Sequence, residues 1–257
     1  MRLDVYLTEN RLCKSRSAAQ NLINIGGVLV NGELAKKNSL EVSEADEISL
    51  VEIKLPKYVG RGGLKLERAL ERWGIDLSGA LCVDVGASTG GFTDCMLQNG
   101  AAKVFAVDVG RDQLDEKLRR DARVVSLEQT DIRDFTLPDE PADFIGADVS
   151  FISLKLVLPH VFRLLKSGGT AVTLIKPQFE AGRENLNKKG IVRSESARQK
   201  CVKEIEEFAV RCGFSHIGTE QSPIAGGDGN VEYLLALKKK TVKGAVTREC
   251  EKSSGKL

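Results

Sequence analysis

The residues of this chain with most capacity for chemistry stand at the ends of apolar runs. Leu81-Cys-Val-Asp84-Val runs into a small-residue loop, Gly86-Ala-Ser88-Thr-Gly90-Gly91, followed by Phe92. A strand, a tight glycine turn and a helix N-terminus together make a cradle for a polar ligand. Glycine has no Cβ to keep a ligand off the backbone. The spacing is not the dinucleotide fingerprint G-x-G-x-x-G, and a tight turn holding no ligand is the plainer reading of the loop alone. The run Val104–Asp108 ends in a carboxylate 22 residues after Gly86, where an acid can accept both hydroxyls of a ribose. Asp131 follows a third run, and Asp143–Asp148 ends in another acid. Thr170–Lys176 ends in a lysine before a proline, and Glu232 opens the last run. One such residue is an ordinary solvated strand end. Acids and a lysine on one edge argue for a site.

The elements that must position these residues follow from periodicity. Strands are predicted at 81–85, 103–108, 123–126, 143–147, 170–175, 214–220 and 231–237, with helices at about 91–99, 111–119, 153–165 and 194–212. This alternation implies an α/β fold with a doubly wound, mostly parallel sheet. Ligands in such sheets sit outside the carboxyl ends of the strands, and an antiparallel last strand would bring Glu232 to that same rim. Leu64–Trp73 reads as a helix with Leu66, Ala69, Leu70 and Trp73 on its apolar face; Lys65, taken alone, is a solvated lysine. Residues 54–63 read as a linker in which Pro56, Gly60, Gly62 and Gly63 break regular structure. Residues 1–53 form a small α+β unit. It has a helix capped by Ser15, an Asn31-Gly32 hairpin turn and a strand over 46–53.

Two resemblances sharpen this. Arg2-Leu-Asp, Ser15-Arg-Ser-Ala-Ala-Gln-Asn-Leu-Ile, Gly26-Gly-Val-Leu-Val-Asn-Gly and Asp46-Glu-Ile resemble the small RNA-binding domain first known from a ribosomal small-subunit protein. The resemblance implies that Arg11, Lys14, Arg16, Lys36 and Lys37 contact phosphate. The charge pattern agrees: these cations lie in a first half poor in acids, whereas Glu41, Glu44, Asp46 and Glu47 crowd the second half of the unit. Such a module binds RNA by shape and backbone charge.

Asp84-Val-Gly-Ala-Ser-Thr-Gly-Gly-Phe-Thr-Asp, Ala106-Val-Asp-Val-Gly, Asp148-Val-Ser-Phe-Ile-Ser-Leu and Lys176-Pro-Gln-Phe-Glu-Ala-Gly-Arg resemble the FtsJ-like methyltransferase family. Over residues 2–238 the chain is similar to the TlyA group of RNA 2′-O-methyltransferases, historically labelled hemolysins. The resemblance implies a Rossmann-like methyltransferase domain over 64–238 using S-adenosylmethionine. It places Asp84, Gly86, Ser88, Gly90, Gly91 and Phe92 around the methionine part, Asp108 at the ribose and Asp131 at the adenine edge. It places a Lys-Asp-Lys-Glu tetrad on Lys65, Asp148, Lys176 and Glu232. The chain departs from the family at Gly60-Arg-Gly-Gly-Leu-Lys-Leu, where Ser-Arg-Gly-Ala-His-Lys-Leu is common. A ribose 2′-hydroxyl is a weak acid, so its attack on a methyl sulfonium needs a base, and a buried lysine beside a second cation can serve. Arg183, Lys188 and Lys189 sit in a glycine-flanked segment expected to be mobile and to order on RNA.

Composition excludes other classes. No stretch of the 257 residues approaches the ~18 apolar residues of a membrane span. The start of the chain has no apolar signal region. The six cysteines show neither metal spacing nor a pairing pattern, which fits a reducing cytoplasm. His160 and His216 are isolated, so no metal is expected. The net charge is +2, of which residues 238–257 hold +5; this basic tail, 239–257, is expected to be disordered. The expected partner is ribosomal RNA or a ribosomal subunit. The alternatives are a non-catalytic RNA-binding or ribosome-assembly factor and a membrane-lytic protein.

Overall fold

The computed structural model describes residues 1–241, save 25, 44, 52–56 and 227–228. The predicted tail from 242 onward and the linker segment 54–56 lie outside the described residues. The chain divides into two compact units, Met1–Pro56 and Lys57–Leu257.

In the first unit, helices α1 (Leu3–Glu9) and α2 (Arg16–Asn24) accompany strands β1 (Val28–Val30), β2 (Glu33–Leu34) and β3 (Ile48–Leu50), ordered β2-β1-β3. Leu3, Leu7, Ala19, Ile23 and Val28 fill its core. Asn31 and Gly32 both hold positive φ, which a two-residue hairpin turn requires. The third strand begins later than the residue 46 expected, because Asp46 is used locally: its carboxylate accepts from the Ser43 N–H and from Asn31 Nδ2; residues 52–53 of that expectation lie outside the described residues. Asp4 is fully inaccessible and accepts hydrogen bonds from Arg2, Arg16 and Gln20. These donors hold its carboxyl well below the usual range.

The second unit opens with α3 (Gly62–Trp73). Gly62 and Gly63 do not break this helix, as the linker reading held; they begin it. First-turn N–H groups have no intrahelical partner in any case, and small residues are needed there. A Cβ on Gly63 would lie 2.3 Å from the Tyr58 ring.

Next come β4 (Leu81–Val85), α4 (Gly91–Gln98), β5 (Lys103–Val107), α5 (Glu116–Arg119), β6 (Val124–Leu127) and β7 (Ala142–Ala147). After them come α6 (Leu154–Leu164), β8 (Leu165–Ile175), α7 (Glu195–Arg211), β9 (Phe214–Gln221) and β10 (Tyr233–Lys239). The strands form one sheet ordered β6-β5-β4-β7-β8-β10-β9. The pairs from β6 to β8 are parallel; β10 is antiparallel to both β8 and β9. Because strand order reverses at β4, the crevice opens beyond its carboxyl end. The antiparallel β10 pairs Tyr233 with Ile175, which sets Glu232 beside Lys176.

The helix expected at 111–119 shrinks to α5. Glu128 accepts the backbone N–H groups of Asp112, Gln113 and Leu114 at 2.7, 2.9 and 3.1 Å, holding this stretch as a turn. Asp115 then caps the short helix through Lys117 N–H.

Candidate active site

Beyond the carboxyl ends of β4, β5 and β7 lies a cleft of about 370 Å³, with Gly86, Ser88, Asp108, Asp131, Asp148 and Ser150 among its walls. Clefts of about 300–1,000 Å³ take up small molecules. A smaller cleft adjoins it, and a third adjoins the second through Arg61, Gly62 and Lys176. The second shares Gly86, Ser88, Asp148 and Ser150 with the first and adds Phe92, Gly91 and Lys176. The third holds Lys65, Lys176 and Glu232.

Asp108 ends the second strand of the crevice. Its Oδ2 accepts from Ser88 N–H and its Oδ1 from Gly110 N–H, both at 2.7 Å. Each carboxylate oxygen keeps a further lone pair for a ligand hydroxyl. Asp131 stands on the far wall, its carboxylate clasped by Arg133. The apolar wall beside it includes Ile132, Val149 and Ile152. The residues present fit a nucleoside-sized ligand with a ribose at Asp108.

The glycine loop works differently from the expectation in two places. Asp84 lines none of these clefts. Alternate residues of a strand face opposite ways, and Asp84 shares a face with Cys82, beneath α4. Its Oδ2 accepts from Thr93 N–H (2.9 Å) and Thr93 Oγ1 (2.6 Å), and its other oxygen has no hydrogen-bond partner. Gly90 is likewise absent from the clefts: at φ +96° it makes room for Leu118 and Leu114, whose methyls lie 2.2 and 2.8 Å from where its Cβ would be. Gly91 is where the loop passes the Gly60 and Gly63 backbone, closely enough that a Cβ on it would lie about 3 Å from Gly63 N and Gly60 O. Phe92 is buried and packs against Gly62 and Gly146.

Burial pushes the Asp84 carboxyl up to about 7. The folded state therefore favours the protonated acid. That contribution is complete below the unfolded value, near 4, and is lost as pH rises through 7. Asp84→Asn cannot ionise. Its urea-unfolding free energy relative to the parent should climb between pH 4 and 7 by up to about 1.4 kcal/mol per pH unit; parallel profiles would show that Asp84 stays ionised throughout.

The tetrad residues come from four elements and meet. Lys65 projects from the first turn of α3, and its Nζ lies 2.7 Å from Glu232 Oε2 and 3.4 Å from Asp148 Oδ2. Lys176 Nζ, at the end of β8, lies 2.7 Å from Asp148 Oδ1 and donates to Ser150 Oγ at 2.8 Å. Lys65, Lys176 and Glu232 are each at most 9% exposed. Two lysines and two acids share the cluster, so each buried polar head has a partner of opposite kind within reach. Asp148 bridges the two lysines. The substituted neighbours of Lys65 do not displace it: Gly60 packs on Thr89 and Gly63 on Tyr58.

Sequence reasoning missed Ser150 and Phe151. Phe151 is 91% exposed at φ +64°, a strained conformation for a bulky residue. Its ring stands 5.2 Å from that of Phe179 at the mouth of the cleft. Both residues stand in the Asp148–Leu154 motif; the signal was an aromatic with no apolar periodicity to bury it. Glu180, next to Phe179, accepts from Ser153 Oγ and Leu154 N–H, tying this rim to α6.

The cations expected to meet RNA are exposed. Among the described residues Arg11, Lys14, Lys36 and Lys37 enter no ion pair, whereas Arg16 donates Nε to the buried Asp4 at 2.9 Å. Arg183, Lys188 and Lys189 are also exposed. Their segment, expected to be mobile from its glycines, carries hydrogen bonds of its own. Asn187 Oδ1 accepts from Lys189 and Ile191 N–H, and Leu186 and Val192 form an antiparallel bridge.

Among the described residues no helix is long and apolar enough to cross a membrane. Comparison with known proteins agrees with the two units. Residues 1–48 match the S4 domain and residues 58–239 the FtsJ-like methyltransferase. The chain is 44% identical over 237 residues to hemolysin A of Brachyspira hyodysenteriae, covering 91% of this chain and 98% of that protein. It is 40% identical over 243 residues to the 16S/23S rRNA (cytidine-2′-O)-methyltransferase TlyA of Mycobacterium tuberculosis, covering 93% and 90%. A solved structure from Streptococcus thermophilus carrying a provisional hemolysin name superimposes with a TM-score of 0.72 at 43% identity, over 98% of this chain and 93% of that one. Domain matches, relatives along nearly the whole chain and the seven-stranded sheet agree: this chain belongs to the FtsJ-like methyltransferase family and carries an S4 domain at its N-terminal end.

Proposed function

We propose that the protein methylates a ribose 2′-hydroxyl of ribosomal RNA with S-adenosylmethionine, and that it does so in the cytoplasm. The observation that carries this reading is the Lys65–Glu232–Asp148–Lys176 cluster opening on the cleft that Asp108 and the glycine loop shape. Asp108 would hold the ribose of the cofactor, Asp131 would lie at its base, and Gly86, Ser88, Gly91 and Phe92 would border its methionine part. When bound, S-adenosylmethionine supplies an electrophilic methyl group on a sulfonium.

The protein's own residues do the rest. Lys176 Nζ, entering the step as the neutral amine with its own proton already released to solvent, takes the proton of the 2′-hydroxyl as the oxygen attacks, and Asp148 and Ser150 hold the resulting ammonium. Lys65, fixed by Glu232 and Asp148, keeps a positive charge beside the reacting oxygen, where negative charge develops. Much of the rate comes from alignment of oxygen, methyl and sulfur. Phe151 offers an apolar face at the mouth, against which a base can stack. The exposed cations of the S4 domain and of the 183–193 loop supply phosphate contacts.

The test is transfer of labelled methyl groups from S-adenosylmethionine to ribosomal subunits purified from a strain lacking this gene. Label recovered in a 2′-O-methylated nucleoside is expected. Subunits that bind the protein but gain no label would establish a non-catalytic RNA-binding factor instead.

A further inference from the structure

Asn230 lies two residues before Glu232 and is 2% exposed. Its side chain reaches across to the basic loop. Nδ2 donates to Gly190 carbonyl oxygen at 3.1 Å, and Oδ1 accepts from Val192 N–H at 3.2 Å. The amide supplies from one planar group both the donor and the acceptor that these two backbone groups need. The loop that leads into these two groups carries Lys188 and Lys189 and is closed on itself by Asn187. Its far end is fixed by Arg198, which donates to the carbonyl oxygens of Val192 and Arg193. On the other side, the Asn230 carbonyl accepts from Gly226 N–H, and the Glu232 carbonyl accepts from Ser222 N–H. A Cβ on Gly226 would lie 2.6 Å from Glu232 Oε1. One buried amide thus joins the exposed basic loop to the backbone that sets Glu232, the partner of Lys65.

We propose that Asn230 is a positioning residue that couples the 183–193 loop to Glu232, so that RNA seated on Lys188 and Lys189 fixes the Lys65–Glu232 arm of the tetrad. This rests on the proposed function and deepens it: Asn230 touches no reacting atom, and the phosphate-bearing substrate acts on the tetrad through it. Removing the amide strands a buried N–H and a buried carbonyl, which local structure must release to water.

The test compares Asn230→Ala and Asn230→Asp with the parent, and with both in a Lys188→Ala/Lys189→Ala background, using subunits purified from a strain lacking the gene. Asn230→Ala should lower kcat/KM for subunits about 10- to 100-fold, in both kcat and KM. Affinity for S-adenosylmethionine should stay within about twofold, since the cofactor cleft is built on other strands. Asn230→Asp, which keeps the acceptor for Val192 N–H, should fall between. Amides of residues 186–193 should lose hydrogen-exchange protection in Asn230→Ala. In the lysine-free background Asn230→Ala should raise KM by less than about twofold further, because the loop no longer has charge to transmit. Parent-like kcat/KM in Asn230→Ala, or effects that simply multiply with those of the lysines, would overturn the coupling. So would loss of cofactor binding in proportion to activity, which marks general unfolding. No methyl transfer by the parent protein would sink the proposed function instead, and unchanged exchange in the variant would then still refute the clamp.

Discussion

Lys176→Arg should lose about 10³-fold in kcat for methyl transfer while binding S-adenosylmethionine as the parent does. The substitution keeps a cation within reach of Asp148, so the buried carboxylate is not left alone. It removes the capacity to accept a proton, because a guanidinium is not deprotonated in proteins. Lys176→Ala alone would confound two effects, loss of the base and an unpaired Asp148. The arginine variant separates them. Single-turnover transfer to subunits lacking the mark, alongside calorimetry of cofactor binding, reads both quantities. Near-parental turnover in Lys176→Arg would show that the position needs only charge, and the base would have to be sought elsewhere.

Gly86→Ala should damage fold and catalysis together. Gly86 has φ +80°, and a Cβ there would lie 2.7 Å from the backbone oxygen of Asp148. A side-chain tip can rotate away from such a contact; a strand-end carbonyl cannot. Asp148 N–H also donates to Val85 carbonyl oxygen, so the collision is transmitted to the residue that bridges both lysines. Gly168→Ala is the control, since Gly168 also has positive φ, +77°, with nothing within 4 Å of its Cβ position. The control should cost about 1 kcal/mol in urea unfolding, the expense of a left-handed alanine. Gly86→Ala should cost about 3 kcal/mol or more and weaken cofactor binding at least about tenfold. Equal losses in the two variants would mean that the β4–β7 crossing can relax.

The rim of the sheet was legible because strand alternation and the rule for parallel sheets both act at short range. Asp108, Asp148 and Lys176 each end an apolar run, and Glu232 needed only the guess of a reversed last strand. Lys65 was different. No local pattern distinguishes it from a solvated lysine, and it became visible only through resemblance to a family. Asp84 and Gly90 show where a motif misleads: they sit in the same short loop as Gly86 and Ser88, but strand pleating turns one under α4 and φ turns the other toward Leu118. Ser150 and Asn230 are small polar residues whose roles depend on partners 26 and 38–40 positions away, beyond any periodicity. The hydrogen bonds of the 183–193 loop were hidden for the same reason: its glycines spoke for freedom, and the bonds depend on Asn187 and Asn230.

The insertion of β10 between β8 and β9 has a consequence for biosynthesis. Translation delivers Lys65, Asp148 and Lys176 before the carboxylate that holds Lys65 and before the strand that joins β8 to β9. A nascent chain stopped before residue 232 owns a glycine cradle and no finished reaction centre. Competence for the proposed reaction is therefore withheld until β10 has been made.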